Sequence, residues 1–170
     1  MKDGILPWTR SCFVCGENNP QGLHLRCRVE KDRTVLEYVT RYTDSGYYKM
    51  VHGGIMGTLL DEVMTWAAIL AMRKICVAAE FTLRFLSPAE LGEKLRVEGW
   101  VTRSSARLCL TQGIIKDLKG KSVVHSTGKF MPMPFNRARM ISEDFVFSSE
   151  SYLPDDIISG SRESLENKNL

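Results

Sequence analysis

His52-Gly53-Gly54 opens a long apolar stretch, HGGIMGTLLDEVMTWAAILAM over 52–72, and one adjacent acid pair, Asp61-Glu62, lies within it. Glycines at the start of a helix let backbone N–H groups come close to a ligand, at the end where the helix is electropositive. A carboxylate in apolar surroundings must find a partner or do chemistry, and desolvation makes it a stronger base. Asp61 is therefore the acid that would serve as general base or nucleophile if the stretch is catalytic, an acid at a helix edge or paired with an Arg being the other reading. Gly53 and Gly54 either present their N–H groups to a ligand or simply open the helix. His52 is expected to fix the turn by a hydrogen bond rather than to act as a base. Glu62 points roughly 100° away from Asp61 on a helix and is expected to be structural, becoming the rival only if the register differs. Cys12 and Cys15 with His24 and Cys27 make formally four zinc ligands, Cys-x2-Cys-x8-His-x2-Cys. His24 and Cys27, however, sit three apart in the strand-like LHLRCRVE and so point to opposite faces. The expectation is free thiols and no metal.

The elements that position these groups follow from hydrophobic period. Over 52–72 the apolar residues leave almost no polar face; only Thr58, Asp61, Glu62 and Thr65 interrupt them, which suits a helix inside a protein. Arg73 and Lys74 follow at the favourable C-terminal end. Before it, 23–30 and 34–40 alternate as strands about a Lys31-Asp32-Arg33 turn, and RYTDSGYYKMV leads the chain to His52. After it come strand-like segments at 77–87, 93–103, 107–116 and 122–131, joined by connections too short for parallel crossovers, hence an antiparallel meander. A helix and a sheet must bury their apolar faces on each other, so an α+β domain is expected over 22–134: one long central helix wrapped by a curved antiparallel sheet of about five to six strands. Residues 1–21 are expected to be irregular and 135–170 an acidic, partly disordered tail.

The chain has 170 residues, 44% hydrophobic and 25% charged, and no run approaching the roughly 18 uninterrupted apolar residues of a membrane span. The N-terminal MKDGILPWTR has no signal-like apolar region, so a cytoplasmic location is expected, with five Cys as thiols. From Glu143 onward seven acids face two bases, leaving a net charge of +8 on residues 1–142 of a +3 chain. That basic body suits an anionic partner such as a phosphorylated cofactor. No recognition-helix or zinc-finger pattern accompanies it, so neither nucleic acid nor a membrane is the expected partner.

Three stretches together resemble the hotdog-fold acyl-CoA thioesterases, in the branch typified by the phenylacetate-pathway (PaaI-like) thioesterase. They are His52-Gly53-Gly54 followed by Leu59-Leu60-Asp61, AEFTLRFLSPAELGEKL from Ala79, and CFVCGENNPQGLHL from Cys12. The resemblance implies the hotdog fold and hydrolysis of an acyl-CoA thioester to the free acid and CoA. It also implies a homodimer, further paired as a dimer of dimers, with each active site shared between two chains. No cofactor is implied beyond the coenzyme A of the substrate. A non-hydrolytic acyl-CoA-binding or regulatory module is the alternative; a hotdog dehydratase ranks lower, since no hydratase-type His motif accompanies the acid.

Within that resemblance Asp61 takes the place of the catalytic carboxylate and the His-Gly-Gly turn that of the carbonyl site. Gly53 and Asp61 stand about 12 Å apart along one helix axis, so two antiparallel helices from two chains are needed to bring both to one carbonyl. Two positions depart from the family. Gly46 stands where relatives often have Asn or Gln, and Ala78 where they often carry the Ser or Thr that holds the water. Thr82 is expected on the same face as Ala78, and Thr58 and Thr65 are candidate substitutes on the helix. Arg84, Arg103 and Arg107, with Lys119, Lys121 and Lys129, are the candidate cations for the CoA phosphates. Met56, Leu60, Met64 and Trp66 are the candidate acyl contacts.

Overall fold

The computed structural model describes residues 3–158. In chain order the elements are β1 (Gly4–Ile5), β2 (Trp8–Thr9), β3 (Arg28–Glu30), β4 (Arg33–Val39), α1 (Gly53–Met72) and β5 (Cys76–Phe85). Then follow β6 (Lys94–Ser104), β7 (Cys109–Lys116), β8 (Ser122–Pro132), α2 (Phe135–Ser142), β9 (Phe145–Val146) and α3 (Pro154–Ile157). A seven-stranded antiparallel sheet in the order β1-β3-β4-β6-β7-β8-β5 curves around α1. This is the hotdog arrangement, with one short strand, β1, more than the sequence pattern showed.

The apolar face of the helix explains the wrap. Leu59, Leu60, Val63, Met64 and Ala68 are fully buried against Leu36, Leu95, Val97, Ile115, Val124 and Phe130 of the sheet. Glycines on adjacent strands let the helix settle close: Gly99 pairs with Thr34 and Gly113, and a Cβ on Gly99 would lie 2.8 Å from the Val63 carbonyl. Thr34 fixes that contact, its hydroxyl donating to the Val63 carbonyl at 2.6 Å and lying 3.1 Å from that of Gly99. By length and composition α1 could cross a membrane despite its two acids, although here more than half of it is buried within the protein.

Three expectations need correction. The four later strands do not form a simple meander, because β5 pairs with β8 and leaves the neighbouring position on β6 to β4. β5 is therefore the outer strand of the sheet. The N-terminal segment is not wholly irregular, since β1 and β2 join sheets. Nor do residues 135–158 trail off: β9 pairs with β2, Phe145 stacks 5.9 Å from Trp66, and Ile157 is buried. Phe145, Phe147 and Ile157 were a thin apolar signal in a polar, acidic context, and only long-range packing gives them a place. The part of the expected tail beyond 158 lies outside the described residues.

Candidate active site

The turn before α1 is set by a buried carboxylate. Asp44 accepts from the Tyr38 hydroxyl, from the Arg41 N–H at 2.6 Å and from the Arg41 guanidinium at 3.2 Å. Its backbone carbonyl takes the His52 N–H at 2.8 Å. His52 caps the helix, its Nδ1 accepting from the Gly54 N–H at 2.9 Å. That bond occupies one of the two amides assigned to carbonyl binding. The Gly53 N–H makes no hydrogen bond among the described residues, and Gly53 lines a cleft of about 620 Å³. Met50, Val51, Met56, Phe85 and Leu86 give this cleft its apolar walls. Asp44 was missed in the sequence because TDSG has the composition of an ordinary turn.

Gly46 also lines the cleft. A Cβ there would stand 2.9 Å from the His52 Cα, so the tight loop has no room for a side chain such as Asn or Gln. Thr58 turns its hydroxyl back to the Gly54 carbonyl at 2.9 Å and has no proton left for a ligand. Leu60 and Met64 lie in the core beneath Gly113, and Trp66 is buried as well, which leaves Met56 as the acyl-contact candidate that reaches the cleft.

The edge strand β5 runs along one ridge of the helix. Cβ atoms on Gly53 and Gly57 would meet Phe85 at 3.1 Å and Leu83 at 3.0 Å. Asp61 and Thr65 continue that i, i+4 ridge. Because β5 descends as α1 rises, Phe81, two residues before Leu83, comes abreast of Asp61, and Ala78, further along, comes toward Thr65. Asp61 is half-buried, and its Oδ1 is a buried oxygen without a hydrogen-bond partner among the described residues. Desolvation holds its carboxyl above the usual range, partly offset by a hydrogen bond from Thr65. A β-bulge at Ala79 then separates two residues expected on one face. Ala78 pairs with Phe130 on the helix side, whereas Thr82 pairs with Thr127 on the far side, where Arg84, Gln112 and His125 line a separate depression. Thr82 and Arg84 are thus turned away from Asp61. A bulge of this kind has no marker in an Ala-Ala-Glu sequence.

Arg103 and Arg107 sit exposed at the β6–β7 turn, the end of the sheet away from the His52 cleft of the same chain. Lys129 pairs with Glu80 at 2.9 Å, also toward that end. Lys119 and Lys121 lie in or beside the β7–β8 turn, at the same end of the sheet as the cleft.

Glu62 faces the other way, toward the N-terminal segment. It accepts from the Trp66 Nε1–H at 3.1 Å, and burial, with the Cys12 sulfur nearby, raises its carboxyl to about 7. The Cys12 thiol is lowered to about 6, chiefly by a hydrogen bond from Cys15, whose own thiol is pushed up. His24 and Cys27 stand outside the group formed by Cys12, Cys15 and Glu62.

Residues 48–124 match the thioesterase superfamily model. The PaaI protein of the Escherichia coli phenylacetic acid degradation operon is similar in structure, with a TM-score of 0.57 at 20% identity, over 62% of this chain and 75% of that one. A Streptococcus mutans protein bound to acetyl CoA has a TM-score of 0.58 at 14% identity, over 78% of this chain and 90% of that one. A hypothetical thioesterase of Streptococcus pneumoniae with coenzyme A has a TM-score of 0.57 at 19% identity, over 61% of this chain and 82% of that one. No curated protein sequence matches the chain.

Proposed function

We propose that the chain, which has the hotdog fold and matches the thioesterase superfamily model over residues 48–124, belongs to that superfamily and hydrolyses an acyl-CoA thioester in a site shared between two copies. The observation that carries this reading is the buried, unpartnered Oδ1 of Asp61, on the helix ridge beside the outer strand. A desolvated carboxylate oxygen without a donor is costly in a merely structural role and is what a general base for water requires.

The outer strand supports the second copy. Val77, Phe81 and Phe85 along this ten-residue strand, with Leu86 just beyond it, are 38–51% exposed, and one edge of the strand is unpaired among the described residues, a surface that isolated proteins cover or interrupt. An antiparallel partner strand there would extend the sheet and set two α1 helices side by side in opposite directions. The Asp61 of one copy then comes to the Gly53 cleft of the other.

In that site the thioester carbonyl accepts the Gly53 N–H at the positive end of the helix. Asp61 takes a proton from water as the oxygen attacks the carbonyl carbon. The tetrahedral oxyanion collapses, the C–S bond breaks, and the CoA thiolate leaves and is protonated. Lys119 and Lys121, at the cleft end of the sheet, are the nearer cations for the CoA phosphates, while Arg103 and Arg107 could reach them only from a second copy. Coenzyme A enters as part of the substrate, and the mechanism uses no further cofactor.

Ala78 motivates a second reading. On the helix side of β5, toward the Asp61–Thr65 ridge, it has no hydroxyl to hold a water, which suits a module that binds acyl-CoA without turnover. Thiol release from acyl-CoAs of graded length and aromatic content decides between them. Release above the spontaneous rate is expected; tight binding without release would establish the second reading instead.

A further inference from the structure

We propose that the sulfurs of Cys12 and Cys15 and one carboxylate oxygen of Glu62 hold a zinc ion that clasps the N-terminal segment onto the middle of α1. The three ligand atoms, one from each side chain, lie within 4.8 Å of one another. Two thiolates and a carboxylate are a ligand set that zinc accepts, and three protein ligands leave one tetrahedral position for a water.

The surroundings fit that role better than they fit two idle thiols. The N–H of Val14 points at the Cys12 sulfur at 3.2 Å, and the Cys15 N–H is directed to it as well. Backbone donors converging on a sulfur stabilise it as a thiolate. Gly16 closes this knuckle with its N–H on the Cys12 carbonyl at 2.9 Å, and a Cβ at Gly16 would lie 2.3 Å from that oxygen. Only glycine fits there. The Thr9 hydroxyl is 3.8 Å from the Cys15 sulfur. Trp66 Nε1–H holds Glu62 Oε1, which orients the carboxylate and leaves Oε2 for a metal. Cys15 is buried, whereas Cys12 is partly exposed and gives the ion a way in.

The arrangement also explains why the sequence pattern misled. The third ligand is not His24 or Cys27, twelve and fifteen residues from Cys12, but an acid on the long helix fifty residues away. Binding takes both sulfurs as thiolates and ties two segments together, so it stabilises the fold in proportion to metal occupancy.

The test uses the full chain, purified with reductant and stripped by chelator, then titrated with Zn²⁺ and with Co²⁺. About one ion per chain is expected by elemental mass spectrometry, with a thiolate-to-cobalt charge-transfer band and a higher Tm on Zn²⁺ addition. Cys15→Ser should lose the band, and Glu62→Gln should weaken zinc binding at least about tenfold while remaining folded by circular dichroism. Cys76→Ala, remote from the knuckle, should keep one ion. A folded, reduced wild-type chain that gives no cobalt–thiolate band would overturn the proposal. So would zinc binding unchanged in Glu62→Gln, which would remove the carboxylate from the site.

Discussion

Gly99→Ala places a methyl against parts of the structure that cannot yield. The new Cβ would lie 2.8 Å from both C and O of Val63 and 3.0 Å from Thr34 Oγ1. The first two are helix backbone, and the third is the hydroxyl that holds that same backbone to the sheet. The helix must retreat by several tenths of an ångström, straining the Thr34 bond. Overpacking costs about 1–3 kcal/mol, and weakening a buried hydrogen bond about 1 kcal/mol more. The sum is about 2–4 kcal/mol, or a fall in Tm of about 4–16 °C for a chain of this size. Gly113→Ala is the control. Its Cβ would also come within 2.8 Å of a neighbour, but the neighbours are Leu60 Cδ2 and Met64 Sδ, the far ends of flexible side chains. Rotamer adjustment there costs about 0.5–1.5 kcal/mol. Thermal melts and urea unfolding of both variants measure the difference. If Gly113→Ala cost as much as Gly99→Ala, the claim that helix backbone rests directly on the Gly99 column would be refuted. Because Val63 lies two residues from Asp61, Gly99→Ala should also lower turnover among the molecules that remain folded.

Three further outcomes are expected. Ala78→Ser adds a hydroxyl on the helix side of β5, toward the Asp61–Thr65 ridge, and should raise kcat severalfold; an unchanged or lower kcat in a folded variant would show that this position does not hold the attacking water. Phe81→Lys, on the exposed edge strand, should shift size-exclusion elution to the monomer and abolish turnover at that concentration, while a dimer retaining activity would rule out β5 as the shared edge. The third concerns pH. Hydrogen bonds and charges from Arg28, Arg96 and Lys94 hold the Glu30 and Glu37 carboxyls below their ordinary value, and Arg96, Lys116 and Arg33 outweigh burial to do the same at Glu98. A lowered folded pKa contributes stability that is complete above the ordinary carboxylate value near 4.5 and is lost as pH falls through the folded values. Denaturant midpoints should therefore decline below about pH 4.5, and less steeply in Glu98→Gln; equal slopes would exclude Glu98 from the effect.

The helix, the later strands and the His-Gly-Gly turn were legible because each is a local pattern: an apolar stretch with one acid pair, alternation, and glycines at a helix start. The position of β5 was not, since pairing with β8 rather than β6 is decided by how the sheet closes around α1. The separation of Ala78 from Thr82 was hidden for a related reason, because one inserted residue at Ala79 reverses every face beyond it. The partners of the acid pair depended on tertiary structure entirely. Asp61 and Glu62 differ by one residue, yet one meets the outer strand and the other meets Cys12 and Cys15, and nothing near them in the chain distinguishes those fates.

The most direct measurement is thiol release from the best acyl-CoA in the panel by the wild type and by Asp61→Asn, which keeps the shape of the side chain and removes its basicity. General-base catalysis by a positioned carboxylate is worth about 10²–10⁴-fold, so kcat should fall by at least about 100-fold with the fold and acyl-CoA binding retained. Undiminished kcat in Asp61→Asn would contradict the account at its centre.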